Sequence, residues 1–497
     1  MKNKKYIYIG GGTDPIIIGI LIAILRGYKN KEEIIIEKSE FEIFQDYIKK
    51  NKIKFQNLNS FNIILTDNRK LTLNYLVPFM HDVVKNFFFY LKLLLFFSYK
   101  NKKNYKSFFT HAYWDTGIRN INDNELKPNL FIKLKTLLTL IYYSIYIKEL
   151  INKYRIKSVF LGHSVYKYRI ALEEFKKQNI KVFSQANFAF FRQKKTKDIE
   201  WTTVNSNLLK KIKKNISDFT INRFWNLRSS GKLEDADFLA ASKIKSNLKF
   251  NLQNNIIFLH VFKDSPFAKI DKNRIFFDYY HWIIETIKII KHSDEIWSLR
   301  IHPNSKVWGE NSLTVLKSIE KKYFDGSFPK NIRIDNKYHS NLKVFSEMKR
   351  CVTFSGTSSI EASCYGIKPI LISDNLLSEL NKNYVLKPNN IKQYREFLLK
   401  KSSDQIFIQK KNAVQVSRFF LYLFYNVLSF KNSFFKIKKN LNVFSKTPTK
   451  EKHKIFFTLM KKLENHSLRE KFYLLGSYLK KKNSRTLDLK FINLLNN

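Results

Sequence analysis

The sequence is poor in the residues that staple or bend a chain. It holds 2 cysteines, 4 methionines, 9 prolines and 13 glycines in 497 residues. The cysteines, Cys351 and Cys364, are too few for a disulfide framework or a cysteine-rich metal cluster, which suits a reducing cytoplasm. Acid is scarce as well: 41 Asp and Glu stand against 90 Lys and Arg, a formal net charge of +49. An unbroken run of about 18 apolar residues is missing, which argues against a membrane span. A secretory leader is not expected either. Gly10-Gly11-Gly12-Thr13-Asp14-Pro15 interrupts the first apolar run where such a leader would continue.

What is present is enough to fold. Hydrophobic residues make up 44% and aromatics 15%, so the chain can bury two or three sizeable cores and is not a disordered polycation. Lys, Asn, Ile and Phe are abundant together, the mark of a coding bias, so not every lysine reports a function. A surface this positive still favours polyanions, either nucleic acid or anionic membrane. Three apolar runs, Asn86–Tyr99, Thr136–Ile147 and Phe419–Phe430, are flanked by lysines. Each reads as a buried core helix, with an interfacial membrane helix as the alternative. No internal repeat is visible.

Taken in order, Tyr6–Ile9 reads as a strand, followed by the glycine turn and a helix over about 16–25. The glycine spacing is not that of a dinucleotide fingerprint. A second strand is expected at Glu33–Ile36. Thr110–Gly117 reads as a polar and aromatic loop, ligand-facing or structural. Ser158–Leu161 is a strand, Gly162-His163-Ser164 a turn, Tyr168–Gln178 a helix and Lys181–Phe183 a strand. His163 then sits at a strand's carboxyl end, where open α/β sheets bind ligands and an imidazole can take a proton. A capping histidine is the plainer alternative. Residues 194–250 read as an irregular link between domains.

A second domain begins with the strand Asn255–Val261 and Asp264 beyond it. A helix follows over Tyr279–Lys291. The strand around Trp297 ends in Arg300 and His302, whose alternation puts a cation and an imidazole on one side, a pair suited to a diphosphate. A salt-bridged edge would look the same. The stretch Cys351–Ile372 then reads strand, small polar turn (Ser355, Gly356, Thr357, Ser358, Ser359), helix, glycine stop, strand. Such a turn aims N–H groups and hydroxyls at one point, where phosphate is favoured. Glu361, one turn on, is placed for sugar or ribose hydroxyls; an ordinary helix cap with a solvated glutamate is the alternative.

The series Asp264, Tyr280-His281-Trp282-Ile283-Ile284-Glu285-Thr286, Trp297, Arg300-Ile301-His302-Pro303, then Ser355 to Ala362 with Gly366 and Pro369 resembles bacterial capsular-polysaccharide synthesis proteins. That group includes Kdo transferases and related surface-glycan glycosyltransferases. The resemblance covers roughly residues 250–375. It implies a GT-B type α/β fold, two Rossmann-like domains facing a cleft, with a basic helical C-terminal extension. The expected divisions are 1–240 on the acceptor side, 250–400 on the donor side and 401–497 as the tail.

Carried over by position, Arg300 and His302 would hold the donor phosphate. Ser355, Gly356, Thr357 and Ser358 would meet phosphate or nearby hydroxyls, and Glu361 the ribose. Candidate catalytic groups, by position alone, are His163, Asp14 and Asp264. No metal and no bound cofactor is implied, and no Asp-x-Asp motif stands at the strand ends; the co-substrate would be a CMP-, UDP- or GDP-linked sugar. The partners implied are a glycan or lipid-linked glycan acceptor and an anionic membrane surface at the inner face of the plasma membrane. A polyol-phosphate transferase, a nucleotide-sugar epimerase and a non-catalytic subunit share the fold. A nucleic-acid-binding protein is the reading from a different class, although none of the usual motifs appears.

Overall fold

The computed structural model describes residues 5–12, 33–50, 63–66, 73–96, 108–186, 189–192, 217–230, 255–264, 275–276, 278–303, 305–306, 309–335, 341–375, 377–378 and 381–426. The chain divides into two compact units. One is Met1–Thr116, Lys133–Thr203 and Tyr425–Asn497; the other is Gly117–Ile132 and Val204–Phe424. Each contains a doubly wound α/β sheet, so both Rossmann-like halves of a GT-B type chain are present.

The first unit carries strands β1 (Tyr6–Gly10), β2 (Glu33–Glu37), β3 (Ile63–Thr66), β4 (Ile156–Leu161), β5 (Lys181–Ala186) and β6 (Ala189–Arg192). Its helices are α1 (Lys38–Lys50), α2 (Leu73–Lys85), α3 (Phe87–Phe96), α4 (Phe108–Arg119, of which residues 117–119 belong to the second unit), α5 (Leu130–Lys153, of which residues 130–132 belong to the second unit) and α6 (Tyr168–Lys177). The sheet order is β3-β2-β1-β4-β5-β6, with all pairs parallel except β5–β6. Strands β1 and β2 read as unbroken apolar runs because both faces of a parallel sheet are covered by helices. The chain reverses its direction of winding between β1 and β4, which makes the carboxyl ends of those two strands the switch point of the unit.

The second unit starts with helix α7 (Asp218–Ser229) and runs through β7 (Asn255–Phe258), α8 (Tyr279–Ile290), β8 (Trp297–Arg300), α9 (Ser312–Tyr323), β9 (Ile332–Asp335), α10 (Asn341–Glu347), β10 (Arg350–Thr353), α11 (Ser358–Cys364), β11 (Ile370–Leu371), α12 (Ile391–Leu399) and α13 (Lys411–Asn426). Its sheet, β11-β10-β7-β8-β9, is parallel throughout and repeats the winding of the first. Here the switch lies between β7 and β10. The register aligns Thr353, Phe258, Arg300 and Asp335 in one row at the carboxyl ends.

Three readings of the sequence need correction or refinement. Thr110–Gly117 is not a loop but lies within α4, and every residue from Thr110 to Ile118 is buried. A helix enclosed on all sides has no apolar face to mark its period, so its polar residues mimic a loop. The supposed link contains α7, whose Ser217 cap accepts the Thr220 N–H and which belongs to the second unit. Finally, α5 is 24 residues long and apolar enough to cross a membrane by length and composition. One face of it, with Leu137, Leu140, Ile141, Tyr143, Tyr146 and Ile147, fills the first unit's core, while Leu130, Phe131, Leu134 and Leu138 are exposed. The helix expected over 16–25 lies outside the described residues.

The start of the basic tail is part of the second unit. Ser417 Oγ bonds Ser363 Oγ at 2.6 Å, Gln409 Nε2 donates to it at 2.8 Å, and Phe419, Phe420 and Leu421 are buried. Deeper in, Arg350 is fully enclosed, its guanidinium 4.9 Å from the Trp297 ring centroid and 4.4 Å from that of Phe407. It donates to the carbonyls of Leu398 and Lys400 and pairs with Glu295 at 3.0 Å. A planar cation between two rings closes the amino-terminal end of the sheet against the segment after α12.

Candidate functional site

At the switch point of the second unit, β10 ends in Thr353 and the chain turns through Phe354, Ser355, Gly356 and Thr357 into α11. Facing this turn is His260, two residues beyond β7. Its Nε2 lies 3.1 Å from Thr353 Oγ1 and accepts the Ser355 N–H at 3.4 Å. That geometry fits a ring protonated on Nδ1. The imidazole stacks on Tyr279 with ring centroids 4.5 Å apart. Gly356 is held tightly: a Cβ there would lie 3.0 Å from Thr353 Oγ1 and from Ser358 Oγ, and 3.3 Å from the His260 ring. Ser359 Oγ closes the turn by donating to the Gly356 carbonyl, and Asn375 Nδ2 donates to Ser359 Oγ at 2.7 Å.

The polar groups at the centre of this turn remain available. Among the described residues, no internal acceptor receives the N–H groups of Gly356, Thr357 and Ser358. Ser355 Oγ is buried and meets no described partner. Gly356, Thr357 and Ser358 are half-buried, and their open N–H groups beside the buried Ser355 hydroxyl form a set chemically suited to an anion. His260 is the residue that the sequence reading missed. Its only sequence signal was its place after a buried strand, Asn255–Phe258, that pairs at the centre of the sheet.

Behind the turn lies a charge network. Glu361 is buried and pairs with Arg228 at 3.1 Å, and Arg300 pairs with Asp335 at 2.5 Å. Burial pulls the Arg300 guanidinium down, with Asp335 and then Glu361 opposing that. Arg300 and Glu361 are thus each ion-paired and buried, on a strand and a helix inside the unit rather than at a solvated edge or cap. Burial likewise pushes the thiols of Cys351 and Cys364 up, with Glu361 adding to the effect. Neither is a reactive thiolate.

His302 and Asp264 come together at the neighbouring strand ends. Burial holds His302 below the usual imidazole range, and the nearby Asp264 carboxylate partly offsets this. Asp264 is itself half-exposed and 3.6 Å from Arg119. The segment around Asp123 is tied in here too, pairing with Lys263 at 2.6 Å and accepting the Asn311 N–H at 2.9 Å.

The first unit has its own polar cluster at its switch point. His163 follows β4 and its N–H donates to the Gly11 carbonyl at 2.9 Å. Gly11 and Gly12 have φ of +76° and +75°, which favours glycine, and a Cβ on Gly12 would press on His163 and Tyr168. Glu37, ending β2, is enclosed and accepts from the Tyr8 and Tyr143 hydroxyls. Glu40, three residues on, accepts the Gly12 N–H at 2.7 Å. Burial, then the Glu37 charge, push Glu40 up to about 7; the Gly12 N–H, Lys167 and His163 pull the other way. Lys167 lies over the rings of Tyr143 and Tyr168. A carboxyl poised near neutrality can hold or release a proton there. Of the candidate catalytic groups, then, His163 belongs to the first unit and Asp264 to the second. Asp14 lies outside the described residues.

No protein-family profile and no curated protein matches the sequence. Solved structures that it resembles include UDP-GlcNAc 2-epimerase from Methanocaldococcus jannaschii, at 14% identity over 84% of this chain and 99% of that one, TM-score 0.26. The Anabaena protein HepE in complex with UDP and glucose is 9% identical over 84% and 93%, TM-score 0.28. MurG of Acinetobacter baumannii is 11% identical over 84% and 94%, TM-score 0.24. At such scores the likeness says nothing about this chain's chemistry, which rests on its own residues.

Proposed function

We propose that the chain is a glycosyltransferase that moves a sugar from a nucleotide-activated donor to a growing bacterial surface polysaccharide of capsule or lipopolysaccharide type. The observation that supports this best is the turn at the β7–β10 switch point. Three open N–H groups and the buried Ser355 hydroxyl lie in this turn, braced by His260, where a doubly wound sheet presents its ligand-binding crevice. These groups would receive the phosphate oxygens of the donor, and N–H dipoles fixed in advance offset leaving-group charge without reorganising. Arg300 and Glu361 would hold opposite charges behind the turn, and His302 with Asp264 would border it. The acceptor belongs, in this reading, to the first unit.

Thermal unfolding with CMP, CDP, UDP and GDP tests the donor site. A nucleotide at a hundredfold excess over its Kd adds about 2.7 kcal/mol of stability. One nucleotide should raise the transition of the wild-type chain and not that of Gly356→Val. No shift with any of the four would sink the assignment. Release of free nucleotide only when glycan is supplied then separates transfer from epimerisation, which needs no acceptor.

A further inference from the structure

Helices α2 and α3 of the first unit turn an apolar face to solvent that their packing does not explain. On the inward side, Tyr75, Phe79, Val83, Tyr90 and Leu93 join the core, and Tyr75 meets Tyr142 of α5 at a centroid distance of 5.8 Å. An amphipathic pair would carry polar residues opposite. Instead, Val77 is 73% exposed, Val84 72% and Phe88 82%, and Met80, Phe87 and Leu95 are exposed beside them. A contiguous apolar face of this kind marks an interaction site.

Charge decides what covers it. Among the described side chains of the two helices, the exposed polar ones are His81, Lys85 and Lys92. Their one acidic residue, Asp82, is half-buried and occupied by Asn86 Nδ2 and by the Tyr90 hydroxyl at 2.5 Å. A second copy docked face to face would bring these lysines against their counterparts with no carboxylate to receive them. The lysine-rich residues 427–497, folded back, would meet the same repulsion. An anionic lipid surface satisfies both halves of the pattern, since acyl chains accept the apolar side chains and phosphates the ammonium groups.

We propose that the α2–α3 face is a monotopic membrane-docking surface, with Val77, Val84 and Phe88 entering the acyl boundary of an anionic leaflet and Lys85 and Lys92 lying at its phosphates. This does not depend on the glycosyl-transfer reading. Attraction of the whole chain at +49 is sensitive to salt, whereas apolar insertion is not.

The test is co-sedimentation of the full chain with phosphatidylglycerol-containing vesicles and with neutral phosphatidylcholine vesicles at low and high salt. An environment-sensitive dye on Phe88→Cys adds a local readout. Cys351 and Cys364 are 0% and 1% exposed, so labelling is confined to the introduced thiol, with Lys330→Cys in the second unit as control. The fraction bound to anionic vesicles at high salt should fall at least fivefold in Val77→Ser/Phe88→Ser, with the unfolding midpoint unchanged. The Phe88 dye should shift to the blue on vesicles and the control dye should not. Equal high-salt binding by the double variant, or an unmoved Phe88 dye, would overturn the proposal. So would wild-type self-association, without lipid, that the same double change dissolves.

Discussion

Arg228 on α7 reaches Glu361 on α11 at 3.1 Å, with both side chains almost wholly buried. Residues 133 positions apart thus neutralise each other under the candidate donor turn. Removing one partner strands the other. Arg228→Ala should lower the stability of the second unit by about 3–5 kcal/mol, read from its denaturant midpoint. Joining Arg228→Met to Glu361→Gln should recover most of that loss. Equal loss in the single and double variants would show that the pair is not coupled.

Gly356 offers a finer probe of the same turn. Its φ is not the reason for glycine; the reason is the 3.0–3.3 Å approach of Thr353, Ser358 and His260 to any added Cβ. Gly356→Ala should cost about 1–3 kcal/mol by overpacking. Calorimetry should also find nucleotide affinity reduced at least tenfold. Unchanged affinity would remove the turn from the donor site.

Glu40 predicts a pH dependence. Its carboxyl rises from 4.5 to about 7 on folding, so the native state holds a proton that the unfolded chain has released. Its contribution to stability is therefore greatest below about pH 4.5 and declines as pH rises to about 7, at up to 1.4 kcal/mol per pH unit. Glu40→Gln keeps an acceptor for the Gly12 N–H and removes the ionisation. Its melting temperature should equal the wild type's near pH 4.5 and exceed it at pH 8. A difference that does not vary with pH would refute this.

Arg350 tests the other end of the second sheet. Burial pulls it down to about 10, with Glu295 opposing, and it is clasped by two rings and two carbonyls. Lysine keeps the charge but cannot supply the planar fork. Arg350→Lys should cost about 3 kcal/mol, seen as a lower unfolding midpoint for the second unit.

Much of the architecture was already present in local patterning. The apolar runs at Tyr6–Ile9, Glu33–Ile36, Ser158–Leu161 and Trp297–Arg300, and Asn255–Phe258 of the run expected to reach Val261, appear as strands because a parallel sheet covered on both faces needs them. The Gly366 stop and the Ser355–Ser359 turn were visible for the same reason: their chemistry is local. Hidden from view were the pairings. Nothing in sequence spacing tells that parallel register puts Asp335 beside Arg300 or that His260 accepts from the Ser355 N–H. Nor could Arg228, in a polar stretch, be matched to Glu361. Burial is likewise a tertiary property, which is why α4 reads as a loop and α3 as a core helix although its Phe88 faces water. Strand-and-helix alternation follows from local patterning, because hydrophobic period and turn chemistry act over a few residues. Tertiary structure alone decided which charges meet, which carboxyl is held near neutrality and which apolar face stays uncovered, because each depends on solvent exclusion and on contacts between distant segments.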